Sequence, residues 1–341
     1  MNEKSNKIKK KGSWTRREFL SAVVAGGFAG ATGFTLFNYF QKREPKAETF
    51  IASVGDYRAN LRHILLQGFR ELNISPAEMA GRRILLKPNL VEPHLGFAHI
   101  NTHPLVIRAV AESFLHLGAS KVIVAEGAGH RRDSLLVLEE SGLADVLYED
   151  KIPFRDLNSG QVVKVKNLSG KSKLGDLILP EELLLADFVV SLPKMKTHHW
   201  AGVTLSMKNL FGVMPGIVYG WPKNVLHWAG ITQSILDINA TVKPHLAIVD
   251  GIVGMEGDGP IMGDPVKSNV LVMGRNLPAV DATCARIMGI NPEKIPYLKH
   301  ASGRLGSIKR SNIEQRGENI SSVQREFKLL DYIPSHRGIR L

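Results

Sequence analysis

Short apolar runs alternate with stretches of helical periodicity along most of the chain. Residues 50–54 read as a strand and residues 57–72 as a helical stretch; residues 83–86 form a second apolar run that ends at Lys87-Pro88-Asn89. From Pro104 onward, Val106, Ala109, Val110, Phe114 and Leu117 recur at helical spacing. A proline is tolerated at the first helical position, and Gly118 provides the stop. Residues 121–125, 187–191 and 245–249 are further buried runs, and residues 269–273 precede a helical stretch over 279–288. Residues 160–176, rich in Lys, Gly and Ser, predict a hairpin or excursion.

Continuous apolar strands between amphipathic helices predict an α/β fold: mainly parallel sheet with helices on both faces, as one unit or as two lobes around a central cleft. The predicted division is an N-terminal address over 1–47, the α/β domain over 48–300 and a charged C-terminal extension over 301–341. No tandem repeat or low-complexity domain is present.

Charge changes the picture mainly at the N-terminus. The 341 residues carry 44 Lys/Arg and 32 Asp/Glu, a formal net charge of +12. Residues 1–47 hold ten Lys/Arg and three Glu, hence +7, which leaves +5 for the rest. The basic excess is therefore poor support for nucleic-acid binding, and no basic stripe interleaved with aromatics exists. A basic stretch, then Thr15-Arg16-Arg17-Glu18-Phe19-Leu20, then no charge from Phe19 to Gln41, is the order of a twin-arginine export signal. It predicts the twin-arginine translocase as a partner and the periplasm, or the outer face of the cytoplasmic membrane, as the destination. Residues 19–40 are just long enough to stay on as a membrane tether. The single cysteine, Cys284, excludes an intramolecular disulfide and an iron–sulfur cluster built by this chain alone, and its Ala/Met/Ile neighbourhood suits a core residue.

Candidate chemistry lies at strand ends. Lys87 and Asn89, Glu126, Lys194 and Lys196, and Asp250 each follow a different apolar run. In open α/β sheets the carboxyl ends of strands form the ligand crevice, so these residues are expected to converge. The densest segment, residues 192–216, holds three lysines, His198, His199, Trp200 and no acid. Such a cluster suits a small anionic ligand, with Lys87, Asn89, Lys194, Lys196 and Asn209 as binding groups. His198, Lys208 and Glu126 are the candidate catalytic groups, and Trp200, Trp221 and Trp228 are candidate pocket walls. Residues 248–265 hold five glycines and four acids, of which Asp250 and Glu256 are candidate ligands for a divalent metal. Asp281 is either a charge complementing a helix dipole or a catalytic acid.

Five segments, ILLKPNLV, KVIVAEG, LPKMKTHHWAGVTLSMKNLFG, HLAIVDGIVGMEGDGP and PAVDATCARIMG, occur in this order. Together they resemble the bacterial and archaeal family called domain of unknown function 362, over about residues 50–300. The resemblance implies an α/β domain, often behind a twin-arginine signal. Some members add a ferredoxin-like cysteine module that this sequence lacks. A shorter stretch, His198-His199-Trp200-Ala201-Gly202, then Lys208, then Pro215-Gly216, is similar to that of nickel-pincer lactate racemases, where the lysine carries the cofactor. Here Pro215-Gly216 comes three residues later, and Leu205-Ser206-Met207 replaces Ser-Gly-Gly. Over about 25 residues that similarity does not extend to an expectation of the nickel-pincer cofactor.

Two functions from different classes follow. One is an exported enzyme acting on a small anionic substrate in a Lys/His/carboxylate cleft, by proton transfer or with a divalent metal. The other is a non-catalytic binding or accessory protein serving exported redox enzymes.

Overall fold

A computed structural model of the chain describes residues 46–94, 96–129 and 133–341. The expected export signal with Arg16 and Arg17, and the expected tether over 19–40, lie outside the described residues. Among the described residues, no helix is long and apolar enough to cross a membrane.

The strands are β1 (Ala47–Ser53), β2 (Arg83–Pro88), β3 (Lys121–Glu126), β4 (Phe154–Asp156), β5 (Val162–Val165), β6 (Leu177–Pro180), β7 (Phe188–Leu192), β8 (Lys194–His198), β9 (Gly202–Thr204), β10 (Leu246–Glu256), β11 (Asp264–Gly274) and β12 (Ile313–Gly317). The longer helices are α1 (Leu61–Glu71), α2 (Pro104–His116), α3 (Ile231–Val242) and α4 (Leu277–Ile287). Ten strands form one sheet in the order β12-β1-β11-β10-β7-β2-β3-β4, with β8 joined to β10 and β9 to β8. The run β10-β7-β2-β3-β4 is parallel throughout, whereas β11 is antiparallel to both β10 and β1. Ten of the twelve strands thus make one continuous sheet. The excursion over 160–176 resolves into the β5–β6 hairpin.

Side chains alternate across a strand, so each parallel strand feeds both faces. Leu85, Val189 and Val249 belong to one buried cluster with Ile235 and Ile238 of α3 and Val280 and Cys284 of α4. Ile84, Leu86, Phe188, Val190 and Ile248 belong to the other, with Leu65 and Phe69 of α1 and Val106 and Phe114 of α2. A sheet covered on both faces explains why these strands read as unbroken apolar runs.

Residues 301–341 are not an appendage. Strand β12 pairs in parallel with β1 at the sheet edge, and Phe327 is fully buried. Ser335 donates from its hydroxyl to the carbonyls of His198 and His199, at 3.0 and 2.8 Å, bracing the turn that carries both histidines. Charged residues on this segment masked its few apolar anchors in the sequence.

Candidate functional site

The parallel strands β7, β2 and β3 end side by side, and their last residues meet. Lys87, at the end of β2, is buried and donates to Glu126 of β3 at 2.8 Å, to Asn209 Oδ1 at 3.0 Å and to the Pro88 carbonyl at 2.6 Å. Asn209 returns its amide protons to the Lys87 carbonyl at 2.9 Å and to Ser191 Oγ of β7 at 3.0 Å. Glu126 also accepts from the Leu90 and Gly127 amides at 3.0 and 2.9 Å. Gly212 lies against this node: a Cβ there would overlap the Glu126 carboxylate and the Lys87 ammonium. Only glycine leaves room for the pair to close.

Above the node lies a cavity of about 250 Å³. Its lining includes Lys87, Asn89, Glu126, His198, Lys208 and Asn209 of the expected residues, with Lys223, His227, Phe211 and Trp200. Glu126 is the one carboxylate in this lining, and Lys87 neutralises it. The remaining ionisable wall is cationic or imidazole.

Three imidazoles line the cavity; His199 faces Asp258, with Nδ1 3.5 Å from its carboxylate, and the other two, His198 and His227, have opposite tautomers. His198 Nδ1 accepts from the amides of Trp200 at 3.0 Å and Ala201 at 3.3 Å, so its proton resides on Nε2. His227 Nδ1 lies 3.0 Å from the Lys223 carbonyl, which can only accept, so Nδ1 is protonated and Nε2 is an acceptor. Burial, reinforced by the nearby Lys208, lowers both: His227 falls to about 4, and His198 falls well below its ordinary value. Both are neutral at pH 7.

Lys208 stands on a short helix, Ser206–Asn209, whose start is held by Asp281. The Asp281 carboxylate accepts from the Ser206 amide at 2.8 Å, the Met207 amide at 3.1 Å and the Ser206 hydroxyl. Burial raises Asp281 to about 7. It sits inside α4, away from the cavity lining, and its role is to position the Lys208 helix. Half-buried Lys208 places Nζ 3.8 Å from the centre of the Phe211 ring, and among the described residues no carboxylate pairs with it. Burial and Lys87 bring it down to about 7. Lys223 is also lowered to about 7 by burial, but its ammonium is held by Asn158 Oδ1 and the Met214 carbonyl. Asn89 Oδ1 and Thr204 Oγ1, both on buried residues of the same wall, have no hydrogen-bond partner among the described residues.

Other expected residues lie elsewhere. Lys194 is sealed in a separate cluster, 2.5 Å from Asp250 and 3.0 Å from the Tyr57 hydroxyl. Asp250 further accepts from Tyr57 at 3.1 Å and from the His103 amide at 3.0 Å. Lys196 is fully buried and donates to the Pro260 carbonyl at 3.1 Å, behind the cavity wall. Lys194, Lys196 and His198 share one face of β8, but four residues of strand span roughly 13 Å, too far to serve one small cavity together. Asp250 and Glu256 are six residues apart on β10, roughly 20 Å by strand rise, so one ion cannot bridge them. Glu256 instead accepts from the Lys328 amide at 2.8 Å. Among the described residues, no three His, Cys, Asp or Glu side chains gather as a metal site. The metal expectation for Asp250 and Glu256 does not match this arrangement.

Of the tryptophans, Trp200 lines the cavity, while Trp228 is 78% exposed and Trp221 packs on Gly216 outside the lining. Lys223 and His227 were not singled out in the sequence. They follow no strand, though their spacing of four was a usable signal. A larger, more open cleft of about 670 Å³ is lined by Lys171, Lys243, Arg275 and Arg304. It lies where β10 begins, at the opposite strand ends. Lys171, Lys243 and Arg304 are exposed there, and Arg275 is committed to Glu78 at 2.6 and 2.9 Å.

The description "Domain of unknown function (DUF362)" matches residues 84–286, well over half of the chain. The chain belongs to the DUF362 family. The matched stretch runs from β2 into α4 and contains every cavity residue named above. Thylakoid-associated protein sll1697 of Synechocystis sp. is 30% identical over 232 residues, covering 66% of this chain and 68% of the relative. Among solved structures, the lactate racemase apoprotein from Thermoanaerobacterium thermosaccharolyticum aligns with a TM-score of 0.43 and 14% identity, over 73% of this chain and 58% of that one. A Thermotoga maritima protein aligns with a TM-score of 0.40 and 11% identity, over 68% and 59%. This DUF362 chain thus spans less than two thirds of either structure, and neither likeness bears on activity.

Proposed function

We propose that the protein is an enzyme that binds a small carboxylate in the strand-end cavity and moves a proton on it. The observation that carries this reading is the coexistence, around one cavity, of a hydrogen-bond donor at His198 Nε2, a proton acceptor at His227 Nε2 and Lys208 with no anionic partner among the described residues. A cationic wall favours an anion. A general base works best when its pKa lies near the working pH. Lys208 and Lys223 both meet this condition, and of the two Lys223 is held by Asn158 and the Met214 carbonyl, which leaves the Lys208 amine for the ligand. The orphaned Asn89 Oδ1 and Thr204 Oγ1 add an acceptor and a hydroxyl for the ligand's own polar atoms. Titration calorimetry with a panel of two- to four-carbon mono- and dicarboxylates tests this. Binding lost in Lys208→Ala and Lys223→Ala supports it. Failure of every carboxylate to bind favours the accessory-protein alternative.

The proposal extends to export. The pattern Thr15-Arg16-Arg17 with Phe19 and Leu20 supports delivery by the twin-arginine translocase to the periplasm or the outer membrane face. Replacing Arg16 and Arg17 by lysine should retain the protein in the cytoplasm on cell fractionation. Unchanged export would refute the assignment.

A further inference from the structure

Resting on the carboxylate reading of the cavity, we infer that Lys208 is a covalent nucleophile whose amine condenses with the carbonyl group of a small oxo acid to form an imine.

The lysines in and behind the cavity wall are used differently. An ammonium carries three donors and, away from water, needs acceptors for them. Lys87 has Glu126, Asn209 and the Pro88 carbonyl. Lys223 has Asn158 and the Met214 carbonyl, and Lys196 has the Pro260 carbonyl. Lys208 has none of these among the described residues and meets only the face of Phe211. Three lysines are thus placed as bound cations, and the fourth is placed as an amine looking into a cavity. Burial together with the Lys87 charge makes half of Lys208 neutral near pH 7, the condition for attack on a carbonyl.

The rest of the wall supplies what the condensation requires. The amine lone pair adds to the carbonyl carbon, the C–N bond forms, and the carbonyl π pair moves to oxygen, which takes a proton. The nitrogen loses a proton, giving a neutral carbinolamine. The carbinolamine oxygen is then protonated and leaves as water while the nitrogen lone pair forms C=N, and the iminium proton is returned. The net change is loss of one water, with no oxidant or reductant. His227 Nε2 can accept the proton that leaves nitrogen and pass it on to the oxygen, which His198 Nε2–H polarises by a hydrogen bond without giving up its own proton. A carbinolamine hydroxyl also offers a donor to the unpartnered Asn89 Oδ1. A cavity of about 250 Å³ suits an acid of a few carbons, its carboxylate facing the cationic wall.

The test uses the full chain with glyoxylate, pyruvate and 2-oxoglutarate, each with cyanoborohydride, read by intact mass and peptide mapping. One reduced adduct per chain at Lys208 is expected, with trapping about tenfold greater at pH 8 than at pH 6 because the free amine reacts. Lys208→Arg keeps a cation but cannot form an imine, so it should lose the adduct while still binding oxalate by calorimetry. Lys208→Met, which suits the apolar Phe211 face, should likewise lose the adduct. Oxalate binding without any Lys208 adduct overturns the nucleophile and leaves the anion site standing. An adduct unchanged in both variants also overturns it. Absence of both oxalate binding and adduct overturns the nucleophile and the carboxylate reading together.

Discussion

His198 and His227 line one cavity as neutral imidazoles of opposite tautomer, His198 held by two backbone amides and His227 by the Lys223 carbonyl. One therefore presents a donor and the other an acceptor without any change of ionisation. Replacing either by Phe should lower the rate of proton transfer, or of imine trapping, by about 10²-fold or more while the thermal transition stays cooperative. A rate unchanged in both variants would remove the imidazoles from the chemistry.

The Lys87–Glu126 pair is fully buried at the ends of β2 and β3. Removing one partner leaves the other charge without compensation, so Lys87→Met or Glu126→Leu should each cost about 3–5 kcal/mol in urea unfolding. The double variant should recover much of that loss, because no charge is then stranded. Additive losses would show that the two groups do not act as a pair.

Asp281 receives two amides and a hydroxyl from the segment that begins the Lys208 helix. Asp281→Ala strands these donors in the core and should cost about 2–3 kcal/mol. It should also weaken oxalate binding, whereas Asp281→Asn should preserve much of the fold because one amide oxygen still accepts. Chemical denaturation and calorimetry on both variants check the ordering.

The pH dependence of stability carries the signature of Lys208. Its folded value of about 7 lies below the ordinary lysine value of 10.5. Between these values the unfolded chain binds a proton that the folded one does not, so stability rises with pH across about 7 to 10.5. Below pH 7 the penalty is fully present. Lys208→Met removes the penalty and should raise Tm by about 2 °C or more at pH 6.5, with the gain fading as pH approaches 10. Lys87, Lys196, His198, Lys223 and His227 surround the same cavity, and Lys208 itself depresses Lys196 and both imidazoles. Its own titration is therefore read from the difference between the two Tm profiles above pH 7, where His198 and His227 are neutral in the parent protein. A gain that does not vary with pH would contradict the neutral amine.

Much of the sheet was legible because strands covered on both faces must be apolar throughout, as in residues 83–86 and 187–191. Where such a run stops, a polar residue marks the strand end, and this located Lys87, Asn89 and Glu126 at one site, whereas Lys208 and Asn209 stood out only as part of the Lys/His-rich segment and lie on a short helix. The same rule misplaced Lys194 and Asp250. They too end apolar runs, but β8 joins β10 and β9 rather than β7, β2 or β3, and it carries Lys194 to Asp250 and Tyr57, away from the β7-β2-β3 ends. A strand-end rule says nothing about which sheet neighbour will meet a charge. Lys223 and His227 come from a connection with no periodicity, and Lys223 has a left-handed backbone, φ +65°, that its identity does not announce. Phe327 and Ser335 were hidden for a simpler reason: single anchors among charges carry no pattern.

A small carboxylate is expected to bind in the strand-end cavity rather than in the open basic cleft beside Lys171. Oxalate titration by calorimetry on the full chain, on Lys208→Met, on Lys223→Met and on Lys171→Met distinguishes the two places. Binding should weaken at least tenfold in the Lys208 and Lys223 variants and be unchanged in the Lys171 variant. Binding that survives both cavity substitutions and disappears with Lys171→Met would contradict this expectation.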